Sequence, residues 1–566
     1  MARSVLRASF VLAVGILASA SAACTDGIES DGPDGSGGGD VVDATGGAPT
    51  EGSGGDSATG TGAGNPTGGG AGGTGGWGEP GTMPTLPACE HVGQGTDYPV
   101  GPGQTYESLG AVPFENLQAG DTVRIHARPQ PYKEKLMIAG MGTAEQPIRV
   151  CGVPGPNGEL PVIDGANAVT RPQLVFPFDG HQRRGVIVVG HPNDWPWEQQ
   201  PSHIVIEGLE VTNGSPELSF VDRQGNTQSY LSSVAGIFVQ RAEDVTIRGC
   251  KVHGNNNGMF IGTAGGVELT KRVLIEGNHV YGNGGLHDYY EHNIYNEVAG
   301  VIYQFNHFGP PRSGPQGILG SNIKERSSGV IIRYNWIEDG GHLIDLVDTQ
   351  EAIGDSLGNP EFNESFLYGN VLVRNGASEG SMVHYGGDSG NYQYYRKGTL
   401  HFFHNTVVVR NENAVDYNVP ALFELSTNEE RLESRNNIYY TSVTPTVLRP
   451  VVFLGVRDGV ISGVANFSHD WVSTGWTPYN SIPGKWETVV AEVSGLEGSL
   501  GGTNPGFVDV STGDLRLTSA SPAIAAGADL AGQVPDDLVV NLQYVRHQDA
   551  APRTPSATPT IGAMTP

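Results

Sequence analysis

The sequence predicts an all-β chain, a single-stranded right-handed parallel β-helix behind a disordered N-terminal tether, and three observations predict it. A short phrase, a β-branched or aromatic run closing on Asn and then an apolar residue, recurs along the middle of the chain. Turns rich in Gly and Asn separate these runs, and no amphipathic helical period competes with them. Finally, 84 Gly and 37 Pro in 566 residues are too many for one ordinary globular domain, and the excess is concentrated near the N-terminus.

Residues 1–23 carry Arg3 and Arg7, then an apolar stretch from Phe10 to Leu17, then small residues, the layout of a secretory signal too short to span a bilayer. Ser21-Ala22-Ala23-Cys24 resembles the bacterial lipobox, with Ser21 where Leu is usual. It predicts lipidation at Cys24, with plain cleavage as the alternative, and so an exported outer-membrane or cell-surface lipoprotein, alternatively a secreted protein. Residues 24–87 are rich in Gly, Ser, Thr, Asp and Ala, a composition that cannot bury enough apolar surface to offset ordering. A flexible linker of this length has roughly 40–45 Å of play.

Residues 88–564 are predicted to be the β-helix: N-terminal cap and first coils over 88–170, central coils over 200–440, closing coils and C-terminal cap over 441–564. The recurring phrase places Asn278, Asn306, Asn335, Asn370, Asn405 and Asn436 at intervals of 28, 29, 35, 35 and 31 residues. Such a period signals a solenoid, whose coils stack because none can bury its own face. These Asn residues are read as an internal amide ladder at a tight bend. VTIRGCKV puts Cys250 at a ladder position, which makes it a buried thiol and leaves Cys89 and Cys151 as the pair expected to form a disulfide.

Stacking turns the sequence into columns. The segments starting at His292 and Ser321 align without a gap. Strand alternation sends Ile294 and Ile323 inward and Tyr295, Lys324, Glu297 and Arg326 outward. Continuing the register, HLID and MVHY place Asp345 and His384 in line with Tyr295 and Lys324, in a column about 14 Å long. A phenol, an acid and two bases on a solvent face point to a reactive or sugar-binding surface; a ladder of opposite charges is the plain alternative.

The stretch from His292 to about Arg410 resembles a bacterial right-handed parallel β-helix family of polysaccharide-degrading proteins, in a wider group that includes pectate, alginate and chondroitin lyases. SNIKERSSGVIIRYN is similar to the Asn-Lys-Ser strand of the chondroitinase B and alginate lyase group, which implies a base role for Lys324. Where that group carries Arg on the following coil, this chain has Asp345.

β-Elimination on a uronate removes a weakly acidic proton α to a carboxylate, which must first be neutralised by Arg, Lys or Ca²⁺. Lys324 serves as base only if cations such as Arg326 and Arg333 depress its affinity for protons; otherwise it neutralises the carboxylate while Tyr295 or His384 handles protons. Arg326, Arg333, Arg396, His292 and Tyr385 are further candidates for gripping an anionic chain. Glu338, Asp339 and Asp348 could hold Ca²⁺ through hard oxygen ligands, with a plain solvated turn as the alternative. The expected partner is an extracellular, anionic polysaccharide met by a monomer, with membrane contact only through a lipid. A net charge of −28 argues against nucleic acid. Glycoside hydrolysis on the same fold ranks second, and a non-catalytic glycan-binding or adhesin-like protein third.

Overall fold

The computed structural model describes residues 87–566 apart from 264–269, 288, 376–379, 411–420, 428, 443–450, 457–461, 475 and 478–490. The predicted signal, Cys24 and the linker through residue 86 lie outside the described residues.

The body of the chain is a parallel β-helix. Successive coils add one strand each to three long sheets of 13, 14 and 11 strands among the described residues. One coil shows the plan. Ile323–Glu325 lies on what we call the site sheet, Ser328–Arg333 on the second sheet and Trp336–Glu338 on the third, and Ile344–Leu346 returns to the site sheet. Inward positions repeat as aliphatic columns: Met259, Ile294, Ile323, Ile344 and Val383 pair in register and are at most 2 % exposed. Full burial of such a side chain is worth about 1.5–3 kcal/mol, and stacking supplies it to every coil.

The corner between second and third sheets explains the recurring Asn. One residue there adopts a left-handed conformation, with φ of 61° at Gly277, 55° at Phe305, 54° at Tyr334, 66° at Gly369, 53° at His404 and 59° at Asn436. The residue after it points its amide inward. Nδ2 of Asn278, Asn306, Asn335 and Asn370 donates to Oδ1 of the next Asn at 3.0, 2.9, 3.0 and 3.0 Å. Cys250 holds this position one coil earlier, its N–H donating to Asn278 Oδ1 at 2.9 Å. The ladder's later member is Asn437, which accepts from Asn405 Nδ2 at 3.2 Å. Asn436, expected in the ladder from its phrase, is instead the left-handed residue before it. A second amide series, Asn255, Asn283, Asn293 and Asn322, runs along the corner that leads into the site sheet, linked at 3.0, 3.0 and 2.6 Å.

The first coils carry a disulfide, and the C-terminal segment, expected as a cap, lies along the side of the stack. Cys89 and Cys151 form a disulfide with Cα atoms 5.6 Å apart, while Cys250 is a buried free thiol whose burial pushes it up to about 12. Coils continue to Leu500–Gly502, after which the chain leaves the stack and folds back along the outside. Phe507, Leu517, Tyr544, Ile561 and Met564 pack on Trp336, Val371, Val408 and Trp471 of the third sheet. Gln548 Nε2 donates to Gly277 O at 2.6 Å, far back along the solenoid.

Asn335→Ala removes an amide that both donates and accepts within the buried ladder. Unsatisfied buried partners cost about 1–3 kcal/mol each, so the variant is expected to lose about 2–4 kcal/mol in denaturant unfolding, whereas Asn375→Ala at an exposed turn loses little.

Candidate functional site

The site sheet presents the expected column in register: Tyr295 beside Lys324, Lys324 beside Asp345, Asp345 beside His384, and His384 beside Glu424. Asn293 and Asn322, anchored in the second amide series, immediately precede the strands that carry Tyr295 and Lys324. The corner amides therefore set the height at which each functional side chain emerges.

The column is not an open solvent face. The segment from Gly386 to Tyr395 folds over it, and Lys324, Asp345 and His384 are 5, 3 and 1 % exposed. A long insertion between Val383–Tyr385 and the next strand, Gly398–Phe403, supplies this roof. Its Asp388 reaches down between the two cations: one oxygen accepts from Lys324 Nζ and the other from Arg326 Nη2 at 3.4 Å. Lys324 Nζ also donates to Asp345 Oδ2 at 2.7 Å, and Arg326 Nη1 lies 3.4 Å from Asp348 Oδ1. Asp388 N–H donates to Asp348 Oδ1 at 2.9 Å, and Gly387 N–H to Ser426 Oγ at 3.0 Å.

Burial disfavours ionisation of Asp388, but the Lys324 and Arg326 charges outweigh it and hold the carboxyl well below the usual carboxylate range. Asp345 is held low in the same way, burial being overcome first by Lys324 and then by His342 and His384. His384 Nδ1 lies 2.8 Å from Asp345 Oδ1 and its Nε2 2.8 Å from Ser426 Oγ. Tyr295 stacks on Phe260 with ring centres 4.6 Å apart and donates to Gln350 Oε1 at 3.4 Å; burial raises its phenol well above the usual range. Glu297 accepts at 2.6–3.0 Å from Thr349 Oγ1 and the N–H groups of Gln350, Glu351 and Ala352, which ties the following loop to the site. Burial, and then the Glu297 carboxylate, push Glu351 up to about 8, a protonated carboxyl at neutral pH.

Several expected site residues lie elsewhere. Tyr385 shares the inward parity of Ile323 and Ile344, is fully buried in the core and donates to Asn363 O and Lys397 O at 3.3 Å. Arg396 is fully buried and pins two loop carbonyls, Phe362 O at 3.0 Å and Ser327 O at 2.7 Å, so it braces the roof's base rather than gripping a ligand. Arg333 belongs to the second sheet, where it donates to Gln304 Oε1 and Tyr368 Oη at 2.8 and 3.1 Å. His292 is near the column but buried, its Nδ1 accepting from Ser321 N–H at 3.0 Å; burial, and then Lys324, hold it down at about 3. The expected Ca²⁺ ligands do not come together. Glu338 sits on the third sheet and accepts from Trp336 Nε1, Asp339 accepts from Asn375 N–H at 2.7 Å at the next corner, and Asp348 pairs with Arg326. The sequence reading missed Asp388, His342, Ser426 and Glu351; Gly386-Gly387-Asp388-Ser389-Gly390, a glycine-flanked acid just after the His384 strand, was the available signal for the first.

Acidification loosens this cluster by two routes. Asp388, depressed in the fold, contributes stability present above about pH 4 and lost as the pH falls below it. His292 is neutral in the fold but takes a proton below about pH 6.5 when unfolded, which also withdraws stability as the pH falls. The thermal midpoint is therefore expected to drop between pH 7 and pH 4 through His292, equally in Asp388→Asn, and to drop further below pH 4, where the drop is smaller in Asp388→Asn.

No protein-family model matches the chain, and no curated protein sequence matches it. Among solved structures the chain is similar to pectate lyase Pel9A, at 13% identity over 83% of this chain and 96% of that one, with a TM-score of 0.37. An alginate lyase from Paenibacillus sp. str. FPU-7 is 11% identical over 68% of this chain and 95% of that one, with a TM-score of 0.34. A mannuronic acid specific polysaccharide family 6 lyase from human gut microbiota is 12% identical over 70% and 84%, with a TM-score of 0.30.

Proposed function

We propose that this chain degrades an extracellular, uronate-containing polysaccharide by β-elimination at the Tyr295, Lys324, Asp345 and His384 column. The observation that carries the reading is the carboxylate of Asp388, bridged between Lys324 Nζ and Arg326 Nη2. That carboxylate stands in for the C6 carboxylate of a uronate, which the same two cations would neutralise once the Gly386 to Tyr395 segment is displaced. Neutralisation makes the α proton removable. The proton leaves toward the acceptor end of the column, Asp345 and His384, and the electron pair forms the new double bond. The departing glycosidic oxygen takes the proton of Tyr295, a phenol kept neutral by burial. Lys324 is on this reading a neutraliser rather than the base, because two carboxylates already hold its Nζ.

The signal-like start and the Gly-rich linker support an exported protein, tethered by a lipid at Cys24 and acting as a monomer on polymer outside the cell. Glu351, held protonated by burial and then by the neighbouring Glu297, favours a second reading, glycoside hydrolysis with Glu351 as general acid.

The purified chain is expected to release unsaturated uronate, read by its ultraviolet absorbance, from at least one of polygalacturonate, alginate, hyaluronan and chondroitin sulfate. Arg326→Gln should lower kcat/KM by at least about 100-fold, while Asp388→Asn, which weakens the internal competitor, should lower KM several-fold. Reducing sugar without unsaturation, abolished in Glu351→Gln, would favour hydrolysis. No product from any polyuronate, or an unchanged KM in Asp388→Asn, would overturn the elimination reading.

A further inference from the structure

At the acceptor end of the column His342, Asp345 and His384 converge, one ligand atom from each lying within 4.8 Å of the other two. The remaining polar atom of each is already held by the protein. His342 Nδ1 is 2.8 Å from the carbonyl oxygen of Ser381, which can only accept, so Nδ1 carries the hydrogen and Nε2 the lone pair. Asp345 Oδ2 accepts from Lys324 at 2.7 Å, which leaves Oδ1. His384 Nε2 faces Ser426 Oγ at 2.8 Å, which leaves Nδ1, 2.8 Å from Asp345 Oδ1. Ligands fixed from behind by a carbonyl, a cation and a hydroxyl are the arrangement that orients metal-binding side chains.

The ring geometry agrees. Two imidazoles bound to one tetrahedral ion at about 2.0–2.1 Å place their ring centres about 5 Å apart; those of His342 and His384 are 5.3 Å apart and tilted by 33°. A second trio, His307, Glu338 and His547, also comes within 4.8 Å. There the two imidazoles stack at 3.8 Å and 4°, so their in-plane lone pairs cannot meet at one ion.

We propose that His342 Nε2, Asp345 Oδ1 and His384 Nδ1 bind one divalent cation of the Zn²⁺ type, in place of the proton shared by His384 and Asp345. Binding releases that proton. His384 keeps the proton it already carries on Nε2, donating it to Ser426 Oγ, whose own hydroxyl donates to Gly387 O at 3.0 Å. Two imidazole nitrogens select a borderline ion over Ca²⁺, which prefers an all-oxygen shell. The fourth position is left to water. Resting on the polyuronate reading, that water, as a metal-bound hydroxide, accepts the α proton and becomes a neutral ligand; the binding itself does not depend on that reading.

The test uses the full chain, stripped with a chelator, titrated with Zn²⁺ or Co²⁺ and passed through gel filtration. One ion per chain should be retained, Co²⁺ showing the visible absorption of a four-coordinate site. His342→Ala and Asp345→Asn should each weaken retention at least about tenfold, with melting curves confirming that the variants are folded, while Glu338→Gln retains the ion fully. Retention no greater than in buffer, or equal retention by folded His342→Ala, would overturn the site. Unsaturated product formed by ion-free protein would overturn the site's role and leave the polyuronate reading standing; an ion bound with no polyuronate cut would do the reverse.

Discussion

Asn306 reaches Asn335, Asn335 reaches Asn370 and Asn370 reaches Asn405, and this run of buried amide bonds fixes how each coil sits on the next. A solenoid coil packs only against its neighbours, and a one-residue slip of a strand would exchange inward and outward side chains. The amides make that slip costly, because each carries both a donor and an acceptor that are satisfied in one register only. The left-handed residue before each Asn turns the chain sharply enough to aim the amide inward. A non-Gly residue there costs about 1–2 kcal/mol, and Phe305, Tyr334 and His404 carry that cost while the hydrogen bonds of the corner offset it.

Registration has an electrostatic consequence on the site sheet. Coils held at strand spacing place Lys324 directly beside Asp345, and Arg326 within reach of Asp348, with little solvent to screen them. Buried ion pairs are stable only when every member has a partner, and Asp388 completes both sets from outside the sheet. The net charge of the whole chain thus says little about the site. Two cations lie under one acid supplied by a loop, and on the proposed reading a substrate carboxylate would compete with it for them.

Much of the architecture was legible because strand alternation and coil spacing are properties of the backbone. The column from Tyr295 to His384 follows from counting alone. Errors arose where one side chain's environment decides. Asn436 and Asn437 are adjacent and identical, and only the corner geometry says which turns inward. Tyr385 looks like a substrate contact until parity places it in the core, and Arg396 looks like an anion grip until two carbonyls are seen to hold it. Loops were the other gap. Asp388 and Ser426 come to the column from segments whose path no periodicity describes, and His342 lies just before its strand, where alternation does not specify direction.

The return of the last sixty or so residues along the outer wall changes how the solenoid can come apart. A simple stack frays from either end, coil by coil, because every interface is local. Here Tyr544, Ile561 and Met564 cover strands from several different coils, and Gln548 reaches Gly277. Peeling off the final coil leaves this strap in place, and releasing the strap exposes apolar surface on many coils at once. The terminal segment thereby converts a chain of weakly coupled steps into one cooperative event. Contacts this distant in sequence are expected to form late in folding, and interactions formed after the transition state chiefly slow unfolding. Such wrapping would lengthen residence in the folded state more than it deepens the equilibrium.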